Sequence, residues 1–213
     1  MMHPEVLSKE QSEILKELKF LSERGFYLAG GTALALQLGH RTSLDFDFYI
    51  SKHFDSAKLA ADFIRRFGDK VTVNQQTEDS LKLTIRNTWA TFFYYPYALI
   101  RGFQDFEGIN LASVEDIAAM KVIAIVQRGR QRDFYDIYYL IRNIGFERVI
   151  FHTLEKYPNY EVLLILKALN YFGDADKEKK DARVSVFDKK LTWKEVKRVI
   201  AKEARDYQLW MLK

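Results

Sequence analysis

The sequence predicts an α/β (α+β) chain, with an α/β core over residues 1–108 and a helical part over 109–213. Three observations predict this. Short segments in the first half alternate apolar and polar residues strictly, the second half spaces its apolar residues at helical intervals, and a loop-like composition from Phe103 to Asn110 separates the two. A chain of 213 residues can bury a real core, and with 48% of them apolar, global disorder is excluded. Cysteine is absent, which excludes disulfides and thiolate metal sites and is compatible with a cytoplasmic location. No apolar run approaches a membrane span, and Met1-Met2-His3-Pro4-Glu5 lacks the basic-then-apolar pattern of a secretion signal, so no membrane partner is expected.

The elements follow in order. From Ser8 to Arg24, Ile14, Leu15, Leu18 and Leu21 fall at helical spacing, and Gly25 stops the helix. Phe26 to Ala29 reads as a short buried strand. Gly30 and Gly31 then allow a tight turn, a helix starts at Thr32, and Gly39 caps its end. From Leu44 to Ile50 the residues Leu44, Phe46, Phe48 and Ile50 share one face and Asp45, Asp47 and Tyr49 the other, which is strand periodicity. Asp55 or Ser56 caps a helix running to Phe67, with Leu59, Phe63, Ile64 and Phe67 inward. Three strands follow at Lys70 to Gln75, Leu81 to Arg86 and Thr91 to Tyr95.

Beyond the loop-like stretch, Ser113 with Asp116 resembles a capping box, which makes Asp116 structural. The helix it opens runs through Lys121 to Val126 and meets Arg128-Gly129-Arg130. A second helix spans Arg132 to Ile141, and residues 159–172 read as a largely buried third. Gly173 to Asp176 reads as a loop without a catalytic role. A last helix, Thr192 to Leu212, is capped by Thr192 with Glu195. The charge is uneven: the net +4 conceals a local excess of six positive charges from Lys177 to Lys213. Its clusters at Lys177 to Lys180 and Lys189 to Lys190 suit a polyanion, although a solvated helix face explains such lysines as readily.

The chemistry concentrates between Gly30 and Asp47. A helix N-terminus that follows two glycines presents unpartnered N–H groups and the positive end of a dipole, a candidate phosphate cradle. Asp45 and Asp47 project from one strand face with Cα atoms roughly 6.5 Å apart. Two carboxylates so placed, beside a glycine turn, can share divalent cations that also bind a nucleotide's phosphates. An Asp-x-Asp can equally be the wet face of a strand, but Asp is depleted in strands, and the glycine turn and Arg41 weigh against that reading. In the second half, two helices joined at Gly129 pack antiparallel. Lys121 then lies near the level of Asp136, and Asp133 sits one turn nearer the loop. By spacing alone an interhelical salt bridge with solvent-facing acids is the stronger reading.

The run Gly-Gly-Thr-Ala-Leu-Ala-Leu…Gly-His-Arg-x-Ser-x-Asp-x-Asp resembles the AbiEii/AbiGii toxin family of the DNA polymerase β-like nucleotidyltransferases. A second block, Glu-Asp-Ile-Ala-Ala-Met-Lys…Arg-Gly…Arg-Asp-Phe-Tyr-Asp-Ile-Tyr-Tyr-Leu, resembles that family's later motif. The resemblance implies a polymerase β-like core with a small mixed sheet, and an enzyme moving a nucleotide from an NTP to RNA, with tRNA 3′ ends a leading acceptor. It implies one or two Mg²⁺ ions on Asp45 and Asp47. It also implies phosphate contacts from Gly30, Gly31, Thr32, Arg41, Ser43 and Lys121, a catalytic base at Asp133 or Asp136, and a partner antitoxin protein. The third carboxylate that many superfamily members carry on a later strand has no counterpart here, and Lys82 and Arg86 stand on the second of those strands instead. Two alternatives follow: transfer to a small-molecule hydroxyl such as an antibiotic's, or a nucleotide-binding protein that has kept the fold without catalysis.

Overall fold

The computed structural model describes residues 2–178 and 185–213. They form two compact units, one reaching to Ala98 and including Gly102–Ala112, the other comprising Leu99–Arg101 and Ser113–Lys213.

In the first unit, α1 (Lys9–Glu17) is capped by Ser8, whose side chain accepts from Gln11 N while the Gln11 side chain accepts from Ser8 N. The expected single helix to Arg24 is two, because the chain tightens at Leu18. Leu18 N bonds Leu15 O and Leu21 N bonds Leu18 O, both three residues back, before α2 (Phe20–Glu23) begins. Next come β1 (Tyr27–Ala29), α3 (Gly30–Leu38), β2 (Asp45–Ile50) and α4 (Ser56–Phe67). Helix α3 starts at Gly30, two residues before the expected Thr32, and ends at Gly39 in the left-handed conformation with φ +61°. Asp55 caps α4 by accepting from Lys58 N. Ile64, expected inward, is 52% exposed, because the buried stripe of α4 passes through Leu59, Ala60, Phe63 and Phe67.

Strands β3 (Val71–Gln76), β4 (Ser80–Ile85) and β5 (Thr88–Tyr94) follow. The stretch expected to be a loop around residue 105 is a hairpin, β6 (Gln104–Phe106) with β7 (Ile109–Leu111). Its two-residue turn uses Glu107 at φ 51° and Gly108 at φ 87°, the left-handed pair that tight hairpins need. Strands of three residues leave almost no periodicity to read. The seven strands form one mixed sheet in the order β3-β4-β5-β2-β1-β7-β6. β2 runs antiparallel to β1 and parallel to β5.

One sheet face is the core. Phe46, Phe48, Leu81, Leu83, Ile85 and Phe92 are fully buried there, with Phe48 and Phe92 stacked at 5.4 Å and Phe63 of α4 5.2 Å from Phe92. Strand alternation therefore sends Asp45, Asp47 and Tyr49 to the other face, where β2 is only half-buried.

The second unit is helical: α5 (Val114–Gln127), α6 (Gln131–Ile144), α7 (Phe146–Lys156), α8 (Val162–Leu169), α9 (Gly173–Lys177) and α10 (Trp193–Met211). α5 packs against α6, α7 and α8, with Ile117, Ala118, Val122 and Ile125 buried. Two expectations are corrected. The segment 159–172 is not largely buried, since its helix is α8 alone, Leu163 is 60% exposed, and only Ile165, Leu166 and Leu169 face inward. The expected loop at Gly173 to Asp176 is the short helix α9, and its Asp176 accepts from Trp193 Nε1 at 2.6 Å and Lys197 Nζ at 2.9 Å. Thr192 caps α10 as expected, accepting from Glu195 N, and Val196, Ile200 and Ala204 are its buried side.

Candidate active site

In the first unit, antiparallel pairing of β1 with β2 sets Ala29 opposite Asp47, so the chain leaves β1 into α3 beside the two acids. Gly30 adopts φ +65°, and a Cβ built on it would lie 2.9 Å from Asp47 Oδ2. Only glycine brings the backbone this close to that carboxylate. The N-cap of α3 is Ala29, which has no side-chain cap, so the positive end of the helix faces the acids without a capping hydroxyl. Gly31 serves a second approach. A Cβ there would collide with an Arg41 guanidinium nitrogen, and Arg41 is buried with Nη1 donating to Thr42 O at 2.9 Å. The turn, Arg41, Asp45 and Asp47 thus belong to one neighbourhood.

Thr32 and Ser43, both buried, act as its brace. Their hydroxyls are 2.7 Å apart, and Thr32 Oγ1 also donates to the Asp45 carbonyl. One hydroxyl proton cannot serve both bonds, so Ser43 donates to Thr32 when Thr32 donates to the carbonyl. Gln11 Nε2 holds the Ser43 carbonyl at 2.9 Å. These side chains fix the strand entering Asp45, and what Thr32 can turn toward a ligand is its backbone N–H. The α1 residue Gln11 carried no local signal for this role.

Asp45 and Asp47 fit a hard divalent cation. They supply carboxylate oxygens from one strand, with the Gly30 backbone close beside Asp47. Among the described residues no group of three or more His, Cys, Asp or Glu could cage a metal unaided. Mg²⁺ bound by two carboxylates ordinarily completes its octahedron with water and phosphate oxygens. The parallel neighbour β5 sets Trp89 opposite Asp45 and Thr91 opposite Asp47, so neither β5 position that faces the acids is a carboxylate.

In the second unit, Lys121 of α5 joins both acids of α6: Nζ lies 2.8 Å from Asp133 Oδ1 and 2.7 Å from Asp136 Oδ2. Arg128 Nε reaches Asp133 Oδ2 at 3.3 Å. Neither acid faces solvent; both are fully buried, and Lys121 is nearly so. Burial alone would raise the Asp133 carboxyl, but the Lys121 ammonium and Arg128 guanidinium outweigh it and hold the group below the usual carboxylate range. A separate buried pair joins Lys156 Nζ to Asp116 Oδ1 at 2.8 Å, and Asp116 also accepts from Ser113 Oγ and from the backbone N–H groups of Ile100 and Arg101. Lys156 was not singled out from the sequence, because a single lysine near a helix end looks like any solvated one.

The basic C-terminal segment offers less free charge than its composition suggests. Lys197 pairs with Asp176, Arg198 with Glu195 and Lys202 with Asp206. Of the Lys177 to Lys180 cluster, Lys179 and Lys180 lie outside the described residues.

The sequence model described as "Nucleotidyl transferase AbiEii toxin, Type IV TA system" matches residues 13–206. The chain belongs to the AbiEii nucleotidyltransferase toxin family. An uncharacterized protein of Aquifex aeolicus (strain VF5) is 36% identical over 208 residues, covering 94% of this chain and 97% of that one. Among solved structures, JHP933 from Helicobacter pylori superposes with a TM-score of 0.61 at 17% identity, covering 100% of this chain and 98% of the other. MenT4, a nucleotidyltransferase toxin from Mycobacterium tuberculosis H37Rv, does so with a TM-score of 0.52 at 14% identity, covering 91% and 82%. At such identities the structural likeness establishes the shared fold, and the AbiEii match establishes the enzyme class: this chain is a toxin-type nucleotidyltransferase.

Proposed function

We propose that this AbiEii-family enzyme transfers a nucleotide from an NTP to an RNA hydroxyl, with the 3′ end of tRNA as the acceptor, and that an antitoxin protein in the same cytoplasm restrains it. The observation that carries the reading is the approach of the Gly30 backbone to the Asp47 carboxylate at the uncapped N-terminus of α3. A phosphate there meets backbone N–H groups and the helix dipole on one side and the two acids on the other.

Asp45 and Asp47 would hold Mg²⁺, one ion or two, which when bound supplies Lewis-acid stabilisation of charge on the phosphoryl oxygens. The backbone of Gly30, Gly31 and Thr32 orients the triphosphate, Ser43 keeps that turn in place through Thr32, and Arg41 offsets phosphate charge; Lys121 takes the same part by its match to the family's later motif alone. In the transfer itself the acceptor oxygen bonds to the α-phosphorus, the bridging P–O bond to the β-phosphate breaks, and pyrophosphate leaves with the electron pair. The hydroxyl proton passes to a carboxylate of α6. Either acid of the pair, Asp133 or Asp136, can serve as that base, and both hold Lys121 in place.

Incubating the purified protein with Mg²⁺ and each α-labelled NTP, then separating tRNA from small molecules, tests this reading. Label in tRNA is expected, falling at least about a hundredfold in Asp45→Asn or Asp47→Asn, as when a transition-state charge stabiliser is removed. Label confined to small molecules, or transfer indifferent to both substitutions, overturns it.

A further inference from the structure

The sheet face bearing Asp45 and Asp47 continues beyond them. Trp89 stands opposite Asp45 on β5 and is 48% exposed, although the alternate residues Ala90 and Phe92 are fully buried. Thr91 stands opposite Asp47, and Lys82 stands opposite Thr91 on β4. The Lys82 ammonium lies over the Trp89 ring, 4.2 Å from its centroid, so a base that stacks on that face moves the ammonium aside toward the base's own phosphate. Thr84, opposite Trp89, continues the patch toward β3, whose own residues are almost all exposed.

The position of this patch decides what it can serve. In-line phosphoryl transfer sets the attacking and leaving oxygens on opposite sides of the phosphorus. The α3 N-terminus and Gly30 occupy the β1 flank of the acids, which suits the triphosphate and its leaving pyrophosphate. The hydroxyl must then approach from the β5 flank, where Trp89 and Lys82 stand. A large exposed indole with a neighbouring ammonium is the combination that binds single-stranded nucleic acid, the ring stacking on a base and the cation meeting a phosphate. Resting on the transfer reading above, we infer that Trp89 is the stacking platform for the terminal unpaired base of the RNA acceptor, and that Lys82 meets the adjoining phosphate.

The test is a titration needing no turnover. A 5′-dye-labelled, ten-nucleotide single-stranded RNA with a free 3′ end is followed by fluorescence anisotropy against wild type, Trp89→Ala, Trp89→Phe and Lys82→Ala, each checked by circular dichroism. Trp89→Ala is expected to raise the RNA Kd by about ten- to a hundredfold, as loss of one stacked base does. Trp89→Phe should recover most of that, and Lys82→Ala should flatten the dependence of Kd on salt. Equal affinity of wild type and Trp89→Ala overturns the inference, as does a phenylalanine variant as weak as the alanine one. Either result leaves the transfer reading intact as long as wild type labels tRNA. Should wild type label no RNA, that reading falls and the assignment of the stacked base to an acceptor falls with it.

Discussion

The Gly30 backbone lies so close to Asp47 that a single added carbon would sit 2.9 Å from the carboxylate oxygen. Glycine is required twice over at this position, once for the contact and once for φ +65°.

Gly30→Ala should therefore lose activity out of proportion to its stability. The left-handed conformation costs an alanine about 1–2 kcal/mol, while displacement of Asp47 disables the acid pair. A fall in transfer of more than about tenfold beyond that stability loss is expected, since an ångström of misplacement can cost about a hundredfold. Gly102→Ala, where nothing lies within 4 Å of the new carbon and φ is not left-handed, is the matched control. Equal activity of the two variants would show that the approach has no catalytic consequence.

Lys121→Met leaves two wholly buried carboxylates without the cation they share. Breaking a buried pair in this way costs about 3–5 kcal/mol, measurable as a lowered urea midpoint. Adding Asp133→Asn and Asp136→Asn should restore part of the stability, because the uncompensated charge is gone. It should not restore transfer. Recovery of activity along with stability would make the cluster purely structural.

Asp133 also predicts an acid-sensitive component of stability. Its folded-state proton affinity is lowered, so on acidification the unfolded chain takes up the proton first. The stabilisation is complete above the unfolded value, roughly 3.9, and is lost as pH falls through the lower folded value. The urea midpoint of Asp133→Asn should thus lie below that of wild type at pH 7, with the gap closing as the pH drops below about 4. Curves that stay parallel over this range would contradict the ion-pair account.

Asp116 makes the contrasting case. Asp116→Ala removes the carboxylate that the buried Lys156 ammonium donates to and the acceptor of two backbone N–H groups, for a loss of about 3–5 kcal/mol. With no place in the transfer chemistry, the substitution should leave kcat per folded molecule unchanged at low temperature. A selective fall in kcat with an unaltered thermal midpoint would reverse that assignment.

What the sequence by itself determined is what neighbours in the chain decide. The caps at Asp55, Ser113 and Thr192, the alternation that places Asp45 and Asp47 on one face, and the left-handed Gly39 all follow from spacings of a few residues. Antiparallel packing about Gly129 likewise brought Lys121 to the level of the two α6 acids. Only the tertiary structure decided that those acids are buried, that Ile64 and Leu163 are not, and that Trp89 stands beside Asp45. The last depends on parallel pairing between β2 and β5. A slip of one residue there would turn Ala90, not Trp89, toward the acids. No local pattern in either strand specifies that register, because it is set by how Phe46, Phe48 and Phe92 pack beneath the sheet.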